Sequence, residues 1–105
     1  DEIFFVDLPT VAVRADILKI HAQKRSLAVS DEHIAALARA CEGFSGAEIE
    51  QAVVSALYVA HAANTAVNAS HVLNEIRSTR PLSVVLGERI ADLRAWAKER
   101  TVPAD

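Results

Sequence analysis

The run Phe44-Ser45-Gly46-Ala47-Glu48-Ile49 admits little besides the start of a helix. The Ser45 hydroxyl stands where it can accept from the backbone N–H of Glu48, and the Glu48 carboxylate can reach back to the N–H of Ser45, which is a capping box. Phe44 before the cap and Ile49 at the fourth helical position can pack together as a hydrophobic staple, fixing the angle at which the chain enters the helix. Gly43 reads as the stop of the preceding helix. Two helices are thus expected to meet at a short rigid corner, where Gly46 and Ala47 leave the N-terminal amides without bulky cover. A flat ligand has room to approach there.

The chain around this corner has 105 residues, enough for one domain with a modest core. Hydrophobic residues are 51% of it and aromatics 5%, so alanine, valine, leucine and isoleucine must fill the interior, and a helical protein is expected. The formal net charge is −3, with Lys and Arg scattered along the chain, which argues against a nucleic-acid surface or a basic membrane patch. No run has transmembrane length and no signal peptide is visible, so a soluble, cytoplasmic chain is expected. Cys41, the sole cysteine, has no disulfide partner and fits a reducing compartment such as cytosol or stroma. The chain opens with Asp1 and not Met, and we expect it to be a piece of something longer.

Taken in order, Glu2 to Leu8 forms an apolar, β-prone run closed by Pro9, which predicts a buried strand. Nothing else has strand character except Ala66 and Val67, so its pairing partner is expected outside this piece. Thr10 caps a first helix running to about Arg25, with Val13, Ile17, Ile20, His21 and Lys24 on one side. Ser30 caps a second, with Asp31 and Glu32 in its first turn and an inward stripe of Ile34, Leu37, Ala38 and Cys41. The third runs from Gly46 to about Ala63 with Ile49, Val53, Ala56, Leu57 and Ala60 inward, and Asn64 is its exit. Asn68 or Ser70 starts a fourth carrying Val72, Leu73 and Ile76, and Arg80-Pro81 breaks it. Ser83 then caps a fifth, with Leu86, Ile90, Leu93 and Ala97 in register and Trp96 beside them, although Gly87 costs about 1 kcal/mol relative to alanine.

The motifs exclude several chemistries. No G-x-x-x-x-G-K-[ST] loop is present and no lysine lies near Gly43 or Gly46, so the chain cannot by itself grip a nucleotide's phosphates in that way. Gly43-Phe44-Ser45-Gly46-Ala47 approaches the G-x-S-x-G nucleophile elbow, but that elbow must follow a strand; here it follows a helix, and Ser45 already has a cap role. His21, His33, His61 and His71 lack metal-ligand spacing. His21 differs in lying beside the apolar stripe of the first helix, where composition alone favours a half-buried histidine hydrogen-bonded to backbone. Asn68-Ala69-Ser70 matches a glycosylation sequon but falls where a helix cap is expected. The charges on the last helix read most simply as a solvated face.

Three segments also line up with a family. Asp1 to Pro9 resembles the last strand and hinge of the AAA+ ATPase large subdomain. Ile17-Leu18-Lys19-Ile20-His21 resembles the first lid helix of the classical clade, and Gly43 to Ile49 resembles its sensor-2 region. Within the family the chain is most similar to AAA ATPases of unknown function encoded in plastid and cyanobacterial genomes, a likeness that extends to Pro81-Leu82-Ser83-Val84 and to Ala91 through Ala97. The resemblance implies an all-α fold, a four-helix lid over residues 10–80, with residues 1–9 as an orphan strand and hinge and residues 81–105 as an extra C-terminal helix. It implies that His21 lies near the ribose and base of ATP or ADP, that Gly46 and Ala47 lie against adenine, and that Mg2+ is held by the missing large subdomain. Some contact from Ile17 and Ile20 is also implied. Ala47 and Glu48 stand where many clades place a sensor-2 arginine, so the lid is expected to sense the base and not the phosphate.

The partners so implied are the large subdomain of the same chain, neighbouring protomers of a homo-hexamer and a protein substrate, with no nucleic acid and no membrane. No catalysis is expected from the lid alone, the parent being the ATPase. A stand-alone helical adaptor, binding proteins through its third or fifth helix, is the competing expectation from another class.

Overall fold

Each of the first four helices begins at a residue whose side chain takes over an amide that the helix itself leaves unpaired. The computed structural model describes residues 7–100, with side chains to residue 98. α1 (Val11–Lys24) starts where Thr10 Oγ1 accepts from the N–H of Val13, and α2 (Asp31–Ala40) where Ser30 Oγ accepts from that of His33. α3 (Gly46–Ala62) carries the full capping box: Glu48 N–H donates to Ser45 Oγ at 3.2 Å, and Ser45 N–H donates to Glu48 Oε1 at 2.9 Å. α4 (Ala69–Ser78) begins at Asn68, whose Oδ1 accepts from the N–H groups of Ser70 and His71. α5 (Leu82–Arg100) follows Pro81.

The ends are as local as the starts. α1 and α3 both close in a Schellman motif on a left-handed residue, Ser26 at φ 55° and Asn64 at φ 59°. Leu27 N–H donates to Ala22 O, and Thr65 N–H donates to Ala60 O. Gly43, at φ 86°, turns the chain between α2 and α3 in a conformation that side chains rarely adopt.

α1 to α4 close into a four-helix bundle in which α1 packs on α2 and α3, and α4 on α3 and α2. The core is built almost wholly from small aliphatic residues, with Phe44 its aromatic member among the described residues. Along α3 the buried residues are Ile49, Ala52, Val53, Ala56 and Ala60, and the alanines let neighbouring helices come close. Ile34, Leu37, Ala38 and Cys41 of the second stripe are buried as expected, as are Val72 and Ile76, while Leu57 is only half-buried.

Two expectations are corrected. The inward face of α1 is Arg14, Leu18 and Ala22, whereas Val13 and Ile20 are 45% and 55% exposed. A hydrophobicity pattern does not anticipate this face, because a buried arginine stands on it. Arg14 Nε donates to Ala38 O at 2.8 Å and its Nη1 to Pro9 O at 3.0 Å. Ala38 O is among the carbonyls that the end of α2 leaves open, and a guanidinium there also suits the negative end of the helix dipole. Burial pushes the neighbouring Cys41 thiol up, with the Arg14 charge opposing, and the thiol is fully enclosed.

The second correction concerns α5. Ser83 does not cap it but lies in its first turn, donating from Oγ to Gly43 O at 2.6 Å. The cap is supplied from α3: Leu82 N–H donates to Glu48 Oε2 at 2.8 Å. Beyond this root α5 lies outside the bundle among the described residues; of the anticipated apolar stripe Leu86 and Ile90 are half-buried, while Leu93 and Ala97 are exposed, as is Trp96 beside them. The strand expected over residues 2–8 falls outside the described residues except for Asp7 and Leu8, which have no regular structure.

These placements separate large stability effects from small ones. Ile49→Ala should cost about 2–5 kcal/mol by chemical denaturation. Leu93→Ala, at an exposed position, should stay within about 0.5 kcal/mol. Burial works against the ionised Glu48, but the amides of Leu82 and Ser45 and the Ser45 hydroxyl outweigh it and hold the carboxyl below its ordinary value of 4.5. A lowered carboxyl stabilises the fold above its ordinary pKa and loses that contribution as pH falls through the lower, folded value. The stability gap between the unaltered chain and Glu48→Ala should therefore be full at neutral pH and narrow below about pH 4.5 in denaturation midpoints taken across that range.

Candidate functional site

The corner between α2 and α3 faces α1. A Cβ built on Gly46 would meet Ile17 Cδ1 at 3.7 Å, so the first turn of α3 lies against the middle of α1. One turn further along both helices, His21 of α1 comes within 3.9 Å of Glu50 of α3, measured from Nδ1 to Oε2. Ile17 and His21 on one helix, and Gly46 and Glu50 on the other, thus form two rungs of the same seam. The seam places His21 beside the helix whose start carries Gly46 and Ala47. Gly46 is half-buried and Ala47 exposed, so the first turn of α3 presents backbone and a single methyl to solvent.

His21 is held by its surroundings. Arg25 Nη1 approaches His21 Nδ1 at 3.2 Å, and Arg25 Nη2 donates to Glu50 Oε2 at 3.3 Å. A guanidinium can only donate, so Nδ1 accepts, and the neutral ring carries its proton on Nε2. At 3.9 Å the Glu50 carboxylate is too far for a hydrogen bond to Nδ1 and acts on the ring through Arg25. Nε2 makes no hydrogen bond among the described residues, and no buried side-chain nitrogen or oxygen there lacks a partner, so Nε2 reaches the surface. The ring therefore offers one outward N–H donor, with its orientation set from behind. The Arg25–Glu50 pair is partly exposed and stabilises the fold little, so its consequence is positional.

Sequence reading singled out His21, Gly46 and Ala47 but not Arg25 and Glu50, which stand behind His21. The signal lay in the four-residue spacing from His21 to Arg25 and from Gly46 to Glu50, which has meaning only once α1 and α3 are known to be neighbours. Ile17 is half-buried against Gly46, whereas Ile20 is exposed. No group of three or more His, Cys, Asp or Glu side chains among the described residues is arranged to hold a metal ion, and no helix is long and apolar enough to cross a membrane.

Chemically, the corner combines a near-naked helix start, a small apolar surface and one outward imidazole N–H. It also carries a carboxylate. Glu48 accepts from the N–H groups of Ser45 and Leu82, so a phosphate brought to this helix start would meet a carboxylate already seated there. The arrangement suits the uncharged, planar end of a ligand.

Residues 31–73, from α2 into α4, match the family model of the AAA+ lid domain. The chain is 38% identical over 100 residues to the AAA domain-containing protein ycf46 of Pyropia yezoensis, a match covering 92% of this chain and 20% of that protein. It is 34% identical over 100 residues to the protein of the same name from Guillardia theta, covering 92% of this chain and 19% of the relative. A shorter match, 43% identical over 58 residues, covers 55% of this chain and 14% of the proteasome-activating nucleotidase of Aeropyrum pernix. The chain thus spans about a fifth of the length of the ycf46 relatives it matches. No solved structure gives a significant match. With its four-helix bundle, its capped corner at Ser45 and these relatives, the chain belongs to the AAA+ family as a lid domain.

Proposed function

We propose that the chain is the nucleotide-responsive lid of an AAA ATPase, closing over the base and ribose of ATP or ADP and passing the nucleotide state to neighbouring subunits. The observation that carries the reading is the seam of α1 and α3, where the outward N–H of His21 lies beside the bare helix start at Gly46 and Ala47. Adenine is flat and uncharged. Gly46 lets its ring approach the backbone, Ala47 adds an apolar contact, and the His21 N–H donates to a ribose or base acceptor. Glu48 keeps the phosphates away from this corner. They and Mg2+ belong to the large subdomain, so the lid alone carries no hydrolytic machinery. In the whole protein the lid would work against that subdomain and the adjacent protomers of a homo-hexamer, in the cytoplasm, during ATP-driven remodelling of a protein substrate.

Base contacts without phosphate contacts give little affinity, of the order of millimolar Kd or weaker. Titration of the 15N-labelled chain with ATP should shift the Gly46 and Ala47 amides and the His21 ring before other signals. Shifts centred on another face, or none at these residues at about 10 mM nucleotide, would sink the reading, as would ATP hydrolysis by a clean preparation of this chain.

Gly46→Ala provides a second check. The added Cβ meets only Ile17 Cδ1, at an ordinary contact distance of 3.7 Å, so the lid should fold as before. In the ATPase that carries this lid the methyl would intrude on the adenine, and nucleotide KM should rise about tenfold, equivalent to roughly 1.4 kcal/mol. An unchanged KM would place the base elsewhere.

A further inference from the structure

α5 is fastened at its root. Among the described residues no bundle helix makes extended contact with it; Val85, Leu86 and Ile90 are half-buried near the root, and the side chains of residues 91–98 are exposed. The root includes two hydrogen bonds and one packed proline. Leu82 N–H donates to Glu48 Oε2 at 2.8 Å, and Ser83 Oγ donates to Gly43 O at 2.6 Å. Pro81 is buried over Gly43, where a built Cβ would meet Pro81 Cγ and Val84 Cγ2, each at 3.6 Å. Arg80 and Glu88 pair on the outer side.

The partners of α5 in this root all belong to the corner that starts α3. One carboxylate serves both helices: Glu48 Oε1 takes the N–H of Ser45, and Oε2 takes that of Leu82. Two positive helix ends therefore converge on one negative group, which favours a single relative orientation. We propose that Glu48 is the positioning residue that sets the direction of α5 from the first turn of α3, so that movement of the corner swings α5 as a lever. With 19 residues the helix is about 28 Å long, and a turn of about 10° at its root carries its far end by about 5 Å. Nucleotide at Gly46 and Ala47 would act on the same turn. That last step rests on the lid reading above, whereas the clamp does not.

The two atoms of the carboxylate allow the clamp to be cut without cutting the cap. Glu48→Gln can still return an amide oxygen to Ser45 N–H, since glutamine serves in a capping box, but it then turns its NH2 toward Leu82 N–H, donor against donor. Ser83→Ala removes the other bond and leaves α3 untouched. Nitroxide labels at Ala36→Cys on α2 and Ala91→Cys on α5 report the direction of α5, both positions being exposed and Cys41 being enclosed. Without nucleotide, the chain bearing only the labels should give one narrow distance distribution. Glu48→Gln should widen it about twofold, and the double variant with Ser83→Ala further, while helix content and melting midpoint change little. A distribution unchanged in Glu48→Gln and in the double variant overturns the proposal. Leu82→Pro keeps the test valid should Glu48→Gln disturb α3, since it removes the donor to Oε2 at the first helical position and leaves Glu48 and its cap in place: widening then supports the clamp, and an unchanged width overturns it. These distances are read without nucleotide, so failure of the clamp is distinct from failure of the adenine contacts seen by titration.

Discussion

The reciprocal bonds between Ser45 and Glu48 are the interaction on which the other placements depend. They start α3 at one residue and in one direction, with Phe44 and Ile49 both buried beneath the cap. From that start, the run of Ile49, Ala52, Val53, Ala56 and Ala60 follows at helical spacing and buries against the bundle. A chain with so few aromatic residues has to obtain its core from close approach of small side chains, and close approach requires helices with fixed register. The cap provides that register locally, before any long-range contact is made.

A different economy operates at the end of α2. Its terminal carbonyls have no helical partners, and the fold meets one of them with a buried guanidinium from α1. Arg14 thereby replaces an aliphatic residue on the inward face of α1, turning that helix so that Val13 and Ile20 face solvent. Removing Arg14 would leave Ala38 O and Pro9 O without these donors, whereas an exposed ion pair such as Arg80 with Glu88 contributes little. Polar satisfaction, and not hydrophobic area alone, decides how α1 sits.

The candidate site follows from the same geometry. Gly46 and Ala47 are small at a helix start, which leaves backbone open to a ligand, while the Glu48 carboxylate, held by the amides of Ser45 and Leu82, puts negative charge beside that start. His21 is oriented from α1 through Arg25, whose other contact is Glu50 on α3. On the proposed reading, the corner suits the uncharged base end of a nucleotide, and the phosphate end is met by other residues. The relatives that the chain matches are several times longer than it is, leaving room for those residues in the whole protein.

Much of this was legible from residue order because it is local chemistry. Thr10, Ser30, Ser45 and Asn68 cap, Gly43 and Asn64 turn left-handed, and the stripes of the second, third and fourth helices are buried apart from the half-buried Leu57 and Leu73, all within a few residues of the signals that specify them. His21, Gly46 and Ala47 were singled out by motif order, yet the seam that joins their helices exists only through packing of α1 on α3. Arg14 buried on a carbonyl, Arg25 and Glu50 behind the imidazole, and Glu48 shared with Leu82 each span more than twenty residues of sequence. The chain by itself therefore determined where helices begin and end, since caps and turns act over three or four residues. Only the tertiary structure decided which face of α1 turns inward and what holds α5, since those depend on unpaired groups that separate elements bring to one another.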